Sequence, residues 1–255
     1  MKSFTPNAFF DLSQTQHTLL FPEEEPVWNA LKRLGDYLKG RLSEVPPQAR
    51  LIGVEIMPGA IVGPDVFIGA GTVVEPGAYI KGPAWIGKNC QIRHGAYIRE
   101  NAIIGDGSVI GNSCEVKNSL IFNKGEIPHF NYVGDSIVGH RGHLGAGAIL
   151  SNVKLDRGEI AVVLPEPEEG EAPAIGFGAS GAAKREETVP TGLRKFGAII
   201  GDHTEVGCNS VLSPGSMLGR DCILYPGTQW RGTLGSGQIV KVRQQQVIVE
   251  RRASA

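Results

Sequence analysis

Three cations recur at equal spacing along the chain: Lys81, Arg99 and Lys117. Spacing this strict stacks side chains only if the chain returns to the same place at each interval. Like charges facing each other on neighbouring strands destabilise a sheet, so such a ladder calls for an anion. Phosphate is the anion that lysine and arginine hold best. A solvated basic stripe, or acids from a neighbouring subunit, is the alternative. Further on stands Ile127-Pro-His129-Phe-Asn-Tyr132-Val-Gly-Asp135. Imidazole titrates near neutral pH and is the commonest general base, which makes His129 the candidate proton acceptor; an ordinary hydrogen-bonded surface histidine is the alternative. A zinc site needs three converging histidines, and the position five residues after His129 is Gly134, so no metal is expected.

The elements that position these residues follow from a repeat. From Ile56, steps of six give Val62, Ile68, Val74, Ile80, Ile86, Ile92, Ile98, Ile104, Ile110 and Val116. Two residues before each is a small or β-branched residue: Val54, Ala60, Val66, Thr72, Ala78 and so on to Cys114. A helix of 3.6 residues per turn has no such period, and a plain strand does not impose one; a period of six belongs to parallel β-helices. Three short strands, one hexapeptide each, make one triangular coil, with the aliphatic inside and the small residue at a tight corner. The register slips by one residue twice, continuing at Ile121, Ile127, Val133, Val138, Leu144 and Leu150, then resumes at Ile200, Val206, Leu212, Leu218, Leu224 and Trp230. That makes 23 inward positions, or seven to eight coils. Cys90, Cys114 and Cys222 fall on the small inward positions and read as core, whereas Cys208 follows Val206-Gly207 at a turn and can face a cleft. On one face Gly69, Gly87, Gly105 and Gly139 point outward, which suits the close approach of a second subunit.

The fold class expected is therefore all-β: a parallel β-helix with an N-terminal helical cap and an insertion of about 40 residues. Residues 1–50 hold the cap, because Val27, Leu31, Leu34 and Leu38 recur at helical intervals after Pro26, and an amphipathic helix there would close the open end of the prism. The β-helix occupies 51–152 and 195–232. The segment 153–194 forms an inserted loop or hairpin, with Val162-Val163-Leu164 as one strand and Pro- and Gly-rich loops beyond. A short strand and tail fill 233–255. Lys+Arg is 25 against Asp+Glu 26, a net charge of -1, which argues against a nucleic-acid binder. No apolar run reaches about 18 residues and no leader pattern opens the chain, so neither membrane insertion nor secretion is expected. Four cysteines do not make a disulfide scaffold, and a reducing cytoplasm is the expected location.

The stretch His129 to Asn152, with its His-x-x-Tyr-x-Gly-Asp and Gly-Ala-Gly motifs, resembles the acetyltransferase half of the bifunctional bacterial enzyme that makes UDP-N-acetylglucosamine. It is also similar to the C-terminal β-helix of archaeal-type sugar-1-phosphate nucleotidyltransferases. Lys195-Phe-Gly-Ala-Ile-Ile-Gly-Asp202 continues the match, which covers roughly residues 51–152 and 194–232. The resemblance implies a left-handed coil and a homotrimer whose sites lie between adjacent prisms. It implies that Arg99, Lys117, Tyr132 and Lys195 hold an amino-sugar phosphate and that His129 is the catalytic base. Asn152 and the backbone around Ala146 match the acetyl-CoA side. Two positions depart from the pattern: a substrate-binding Asn is His143 here, and a Ser on the donor side is Cys208.

The activity implied is acetyl-CoA-dependent N-acetylation of a hexosamine 1-phosphate in nucleotide-sugar biosynthesis, with no metal required. The alternative is a non-catalytic module that binds a sugar phosphate or nucleotide sugar, or trimerises a separate nucleotidyltransferase. The insertion beside Asn152 separates the two readings, because it can either leave the donor groove open or fill it.

Overall fold

The six-residue repeat folds as its spacing requires. The computed structural model describes residues 4–164, 187–243, 246 and 248–250. Short parallel strands build three flat faces, of nine, eight and eight strands. Face A begins at Glu55–Ile56, face B at Ile61–Val62 and face C at Val66–Ile68, and each strand pairs with its equivalent one turn on. The inward aliphatics from Ile68 to Leu224 pack into one core along the axis, most of them with no exposed surface. The small residues two places earlier, among them Ala78, Cys90, Ala96 and Cys114, line the same core at its corners.

The coil has about nine turns rather than the seven to eight counted from the repeat. The last turn is made by Thr233–Leu234 and Ile239–Val240, which pair with Met217-Leu218 and Ile223-Leu224. Leu234 comes only four residues after Trp230, so the period breaks just where the last turn begins.

The helix forms over Asn29–Ser43, with Leu31, Leu34, Leu38 and Leu42 buried. It packs along face C instead of over the open end. The reason lies in the outward residues of that face. In faces A and B the strand residue that points out is mostly polar or exposed. In face C it is Phe67, Trp85, Ile103, Leu120, Ile137, Ile199 and Met217, an apolar stripe running the length of the prism. Phe4, Phe9, Phe10, Leu20, Phe21, Trp28 and the helix cover it, forming a second core. Each such side chain removed from water contributes about 1.5–3 kcal/mol, so the stripe dictates where the segment lies. Phe122 takes the place where a glycine stands in the other turns, and its ring stacks on Phe10 at 4.7 Å.

The glycine-lined face is thus closed to a second subunit by the chain's own N-terminal segment. The glycines serve the turns instead: a Cβ on Gly87 would lie 2.6 Å from the Asp106 backbone nitrogen of the next turn. The described ends of the insertion form an antiparallel pair, Ile160–Val163 with Thr188–Leu193. Ile160 and Val162 bury against Phe196, Ile199 and Met217 on the face C side. The Pro- and Gly-rich loops read between them lie outside the described residues. No helix among the described residues is long and apolar enough to cross a membrane.

Two outcomes are expected. Phe122→Ala opens a cavity under the N-terminal segment and costs about 3–5 kcal/mol in urea unfolding. The second concerns His17, 1 % exposed, with Nδ1 2.9 Å from the Tyr37 hydroxyl and its ring edge-on to Trp85. Burial, helped by Arg41, holds its pKa down at about 3 against 6.5 for a free imidazole. Below pH 6.5 the unfolded chain takes up a proton here that the folded chain refuses until about pH 3. Stability is therefore full above 6.5 and declines as the pH falls through that window, by at most about 1.4 kcal/mol per unit from this group. His17→Gln should flatten that decline in denaturation measured across the window.

Candidate functional site

The parallel register sorts the candidate residues into three groups. The first lies on face B and at its corner with face C. Glu115 and Tyr132 are neighbours on adjacent strands, with Lys117 beside Gly134. The three stacked cations are present, but each meets a carboxylate of its own chain. Arg99 Nη1 is 2.9 Å from Glu115 Oε1, and Arg99 Nη2 is 3.4 Å from Glu100. Lys81 Nζ is 3.3 Å from Glu100, and Lys117 Nζ is 3.8 Å from Asp135. The ladder therefore does not stand unneutralised waiting for an anion. Its Glu115 hydrogen bond, ahead of the opposing effect of burial, raises the pKa of Arg99. Lys195 is exposed at the B/C corner, one residue before Phe196, whose N–H donates to the Asn152 carbonyl at 3.0 Å.

Asp135 organises this corner. Its carboxylate is buried and accepts from Asn118 Nδ2 at 2.7 Å and from Asn152 Nδ2 at 2.6 Å. Its own backbone sits at φ 49°, the left-handed conformation that Asp tolerates better than most residues. The Tyr132 hydroxyl and Asn152 Nδ2 meet over Gly134, where a Cβ would come within 2.6 and 2.8 Å of them. The phenol's pKa is raised by burial first and then by Glu115 and Asp135, with the Asn152 amide opposing them. The motif His-x-x-Tyr-x-Gly-Asp thus has a local explanation. Glycine leaves room for the tyrosine and the amide to meet, and the aspartate holds the amide. Sequence reasoning selected Tyr132 and Asn152 and missed Gly134 and Asp135, although both stand in the motif.

The second group lies on the A/B corner. His129, Ala146 and Cys208 occupy equivalent places on three successive turns, linked by Gly147 N–H to His129 O at 2.9 Å and Asn209 N–H to Ala146 O at 2.8 Å. His129 is exposed, and its ring has no hydrogen-bond partner among the described residues. Its backbone N–H donates to Asn131 Oδ1 at 3.0 Å. On the next two turns the N–H groups of Ala146 and Cys208 have no such cap among the described residues. Cys208 is an exposed free thiol in a groove shared with Pro226, Gly227 and Val242, whereas Cys90, Cys114 and Cys222 are buried, as expected, with burial pushing their thiols up.

The third group is on face A. His143 lies in register between Glu126 and Glu205, with Nδ1 3.0 Å from Glu126 Oε2. Asn152 is thus placed across face B from Ala146 and Cys208, not beside them. Among the described residues no group of three His, Cys, Asp or Glu side chains is arranged to hold a metal ion. The described ends of the insertion lie on the face C side and leave the A/B corner uncovered.

Residues 80–164 match the family model of the GMPPB C-terminal domain. A bifunctional sugar-1-phosphate nucleotidylyltransferase/acetyltransferase of Sulfurisphaera tokodaii is 32 % identical over 124 residues, 49 % of this chain and 26 % of that protein. The bifunctional protein GlmU of Methanocaldococcus jannaschii is 31 % identical over 104 residues, 41 % of this chain and 20 % of that protein. The matched stretch is about a quarter or less of these relatives' length. The resemblance read from the motifs is borne out as sequence similarity. Among solved structures, the UDP-N-acetylglucosamine acyltransferase of Arabidopsis aligns at TM-score 0.42 and 13 % identity, over 74 % of this chain and 69 % of that one. The enzyme of that name from Campylobacter jejuni aligns at 0.35 and 16 %, over 71 % and 69 %.

Two glycines should separate site from scaffold. Gly134→Ala meets the Tyr132 ring and the Asn152 amide and should cost about 1–3 kcal/mol in unfolding, while displacing Tyr132. In Gly111→Ala the added Cβ would lie 1.6 Å from the Pro128 carbonyl oxygen, a backbone atom, and the loss should be the larger.

Proposed function

We propose that the protein is an acyltransferase that moves an acetyl group from acetyl-CoA to the amine of a hexosamine 1-phosphate. The observation that carries this reading is the A/B corner, where an exposed imidazole stands one turn from a backbone N–H that has no partner among the described residues. The amine nitrogen attacks the thioester carbonyl carbon, and His129 takes the proton the nitrogen sheds. The N–H of Ala146, uncapped on the adjacent turn, is suited to donate to the carbonyl oxygen as it becomes an oxyanion. When the C–S bond breaks, the proton passes from His129 to the departing sulfur. Cys208 lines the donor side one turn further on, and no metal takes part. Holding both substrates at one corner supplies much of the rate.

The phosphate falls to face B. Lys195 has no carboxylate partner there among the described residues, whereas Arg99 and Lys117 must share themselves between the ligand and Glu115, Glu100 and Asp135. His143, bonded to Glu126, faces away from this group on its own chain and serves the site of a second copy. The oligomer we infer is the homotrimer that the resemblance implies, with contacts on faces A and B, since face C is covered. Light scattering at the monomer mass would exclude it.

The self-neutralised ladder favours a second reading, a module that binds a sugar phosphate or nucleotide sugar, or trimerises a separate nucleotidyltransferase, without turnover. Thiol release from acetyl-CoA, measured against a panel of amino-sugar phosphates, separates the two. Under the first reading one hexosamine 1-phosphate is consumed, and His129→Ala lowers turnover by roughly 10²–10⁴ while the oligomer persists. No transfer by the wild type, or full activity in His129→Ala, hands the case to the second.

A further inference from the structure

The hydrogen-bond inventory around Asp135 fixes a direction. A carboxylate has no proton to offer, so both amides that touch Asp135 must turn their N–H groups towards it, while Lys117 Nζ at 3.8 Å adds charge beside them. Asn118 Nδ2 serves one oxygen at 2.7 Å and Asn152 Nδ2 the other at 2.6 Å. This settles which way the Asn152 amide points. Its nitrogen, not its oxygen, therefore lies next to the Tyr132 hydroxyl above Gly134. The second Asn152 N–H, not used by Asp135, is therefore the donor turned towards the phenol oxygen, and it opposes the rise in the phenol pKa that burial causes. The tyrosine's own proton is left to point away from the corner, towards the open side of face B.

We propose that Asp135 is a positioning residue that acts through Asn152 to lock the Tyr132 hydroxyl as an outward hydrogen-bond donor, so that the ligand must present an acceptor oxygen there. The Glu115 carboxylate is engaged by Arg99 Nη1 at 2.9 Å, which leaves the phenol proton for a ligand. Burial and the two neighbouring acids keep the phenol in its protonated, donating form. The class of ligand is one with an anionic oxygen at this point, and the phosphate of the acceptor proposed above fits it. The inference rests on that acceptor only for the identity of the ligand; the orientation of the Asn152 amide stands on its bond to Asp135.

Asp135→Asn should reverse the chain. Asn118 still donates to one side of residue 135, so that side keeps the oxygen and the new NH₂ group turns to Asn152. The Asn152 amide then flips to present its oxygen, and Tyr132 donates inward. The experiment measures Kd for glucosamine 1-phosphate and for inorganic phosphate in the wild type, Asp135→Asn, Tyr132→Phe and the double variant. Tyr132→Phe should weaken binding about tenfold in the wild type and leave it unchanged in the Asp135→Asn background, whatever the freed Lys117 does to the Kd of Asp135→Asn itself, because there the donor is already lost. Additive losses would overturn the proposal, since a merely structural aspartate would add its damage to the loss of the hydroxyl.

A ligand-free readout accompanies it. The tyrosine Fermi doublet in Raman difference spectra against Tyr132→Phe should report an accepting phenol in the wild type and a donating one in Asp135→Asn. An unchanged doublet in a folded variant refutes the reversal. If the wild type binds neither probe, the acceptor reading fails, and the doublet alone decides the proposal.

Discussion

The structure depends on the pairing of each short strand with its equivalent one turn later. That pairing sets the rise between turns at about 4.8 Å and leaves a side chain no freedom to choose its neighbours along the axis. Once Ile80, Ile98 and Val116 are stacked inward, Lys81, Arg99 and Lys117 are stacked outward whether or not their charges agree. The molecule answers that conflict locally, with Glu100, Glu115 and Asp135 placed so that each cation finds an acid on its own or a nearby turn. The same constraint brings His129, Ala146 and Cys208 to one corner from distant positions in the chain, even though an insertion separates the last two turns.

Much of this was legible in the sequence because the inward positions obey a fixed period, and period is what a β-helix writes most clearly. The strand over Val162-Val163-Leu164 and the core places of Cys90, Cys114 and Cys222 followed from local pattern. The position of the N-terminal helix did not. Its own amphipathic spacing said that it needed an apolar surface, and the open end offered one. The better surface was written elsewhere, at Phe67, Trp85, Ile103, Leu120, Ile137, Ile199 and Met217, outward places on a single face that a count of inward residues passes over. The last turn was hidden by the short step from Trp230 to Leu234.

At the candidate site, residue types were easier to read than residue partners. The cations and His129 stood out by type and spacing, and Tyr132 by the motif that carries the resemblance. That Asp135 would hold Asn118, Lys117 and Asn152 together depended on four residues meeting at one corner from three consecutive turns, and no local motif reports such a meeting. Gly134 was visible but ambiguous, since glycine marks turns throughout this chain. Its use here, as space in which a phenol and an amide meet, is a fact about the turn above as much as about the residue itself.

The N-terminal segment has one further effect. A solenoid touches only its nearest neighbours, so its turns can in principle peel away one after another from an end. Here a single stretch of chain is fastened at intervals along the axis. Arg50 O holds Ile68 N–H at 2.8 Å, Gln14 O holds Asn123 N–H at 3.3 Å, Phe9 O holds Asp202 N–H at 3.0 Å, and Asn7 O accepts from Arg220 at 3.0 Å. These fastenings run from the first turn to the seventh. They work as a splint: a coil within that span cannot fray without lifting the strip that also clamps coils far from it. Stacked repeats that would otherwise unzip in steps are made to give way together, and the two faces left bare are held flat against thermal flexing.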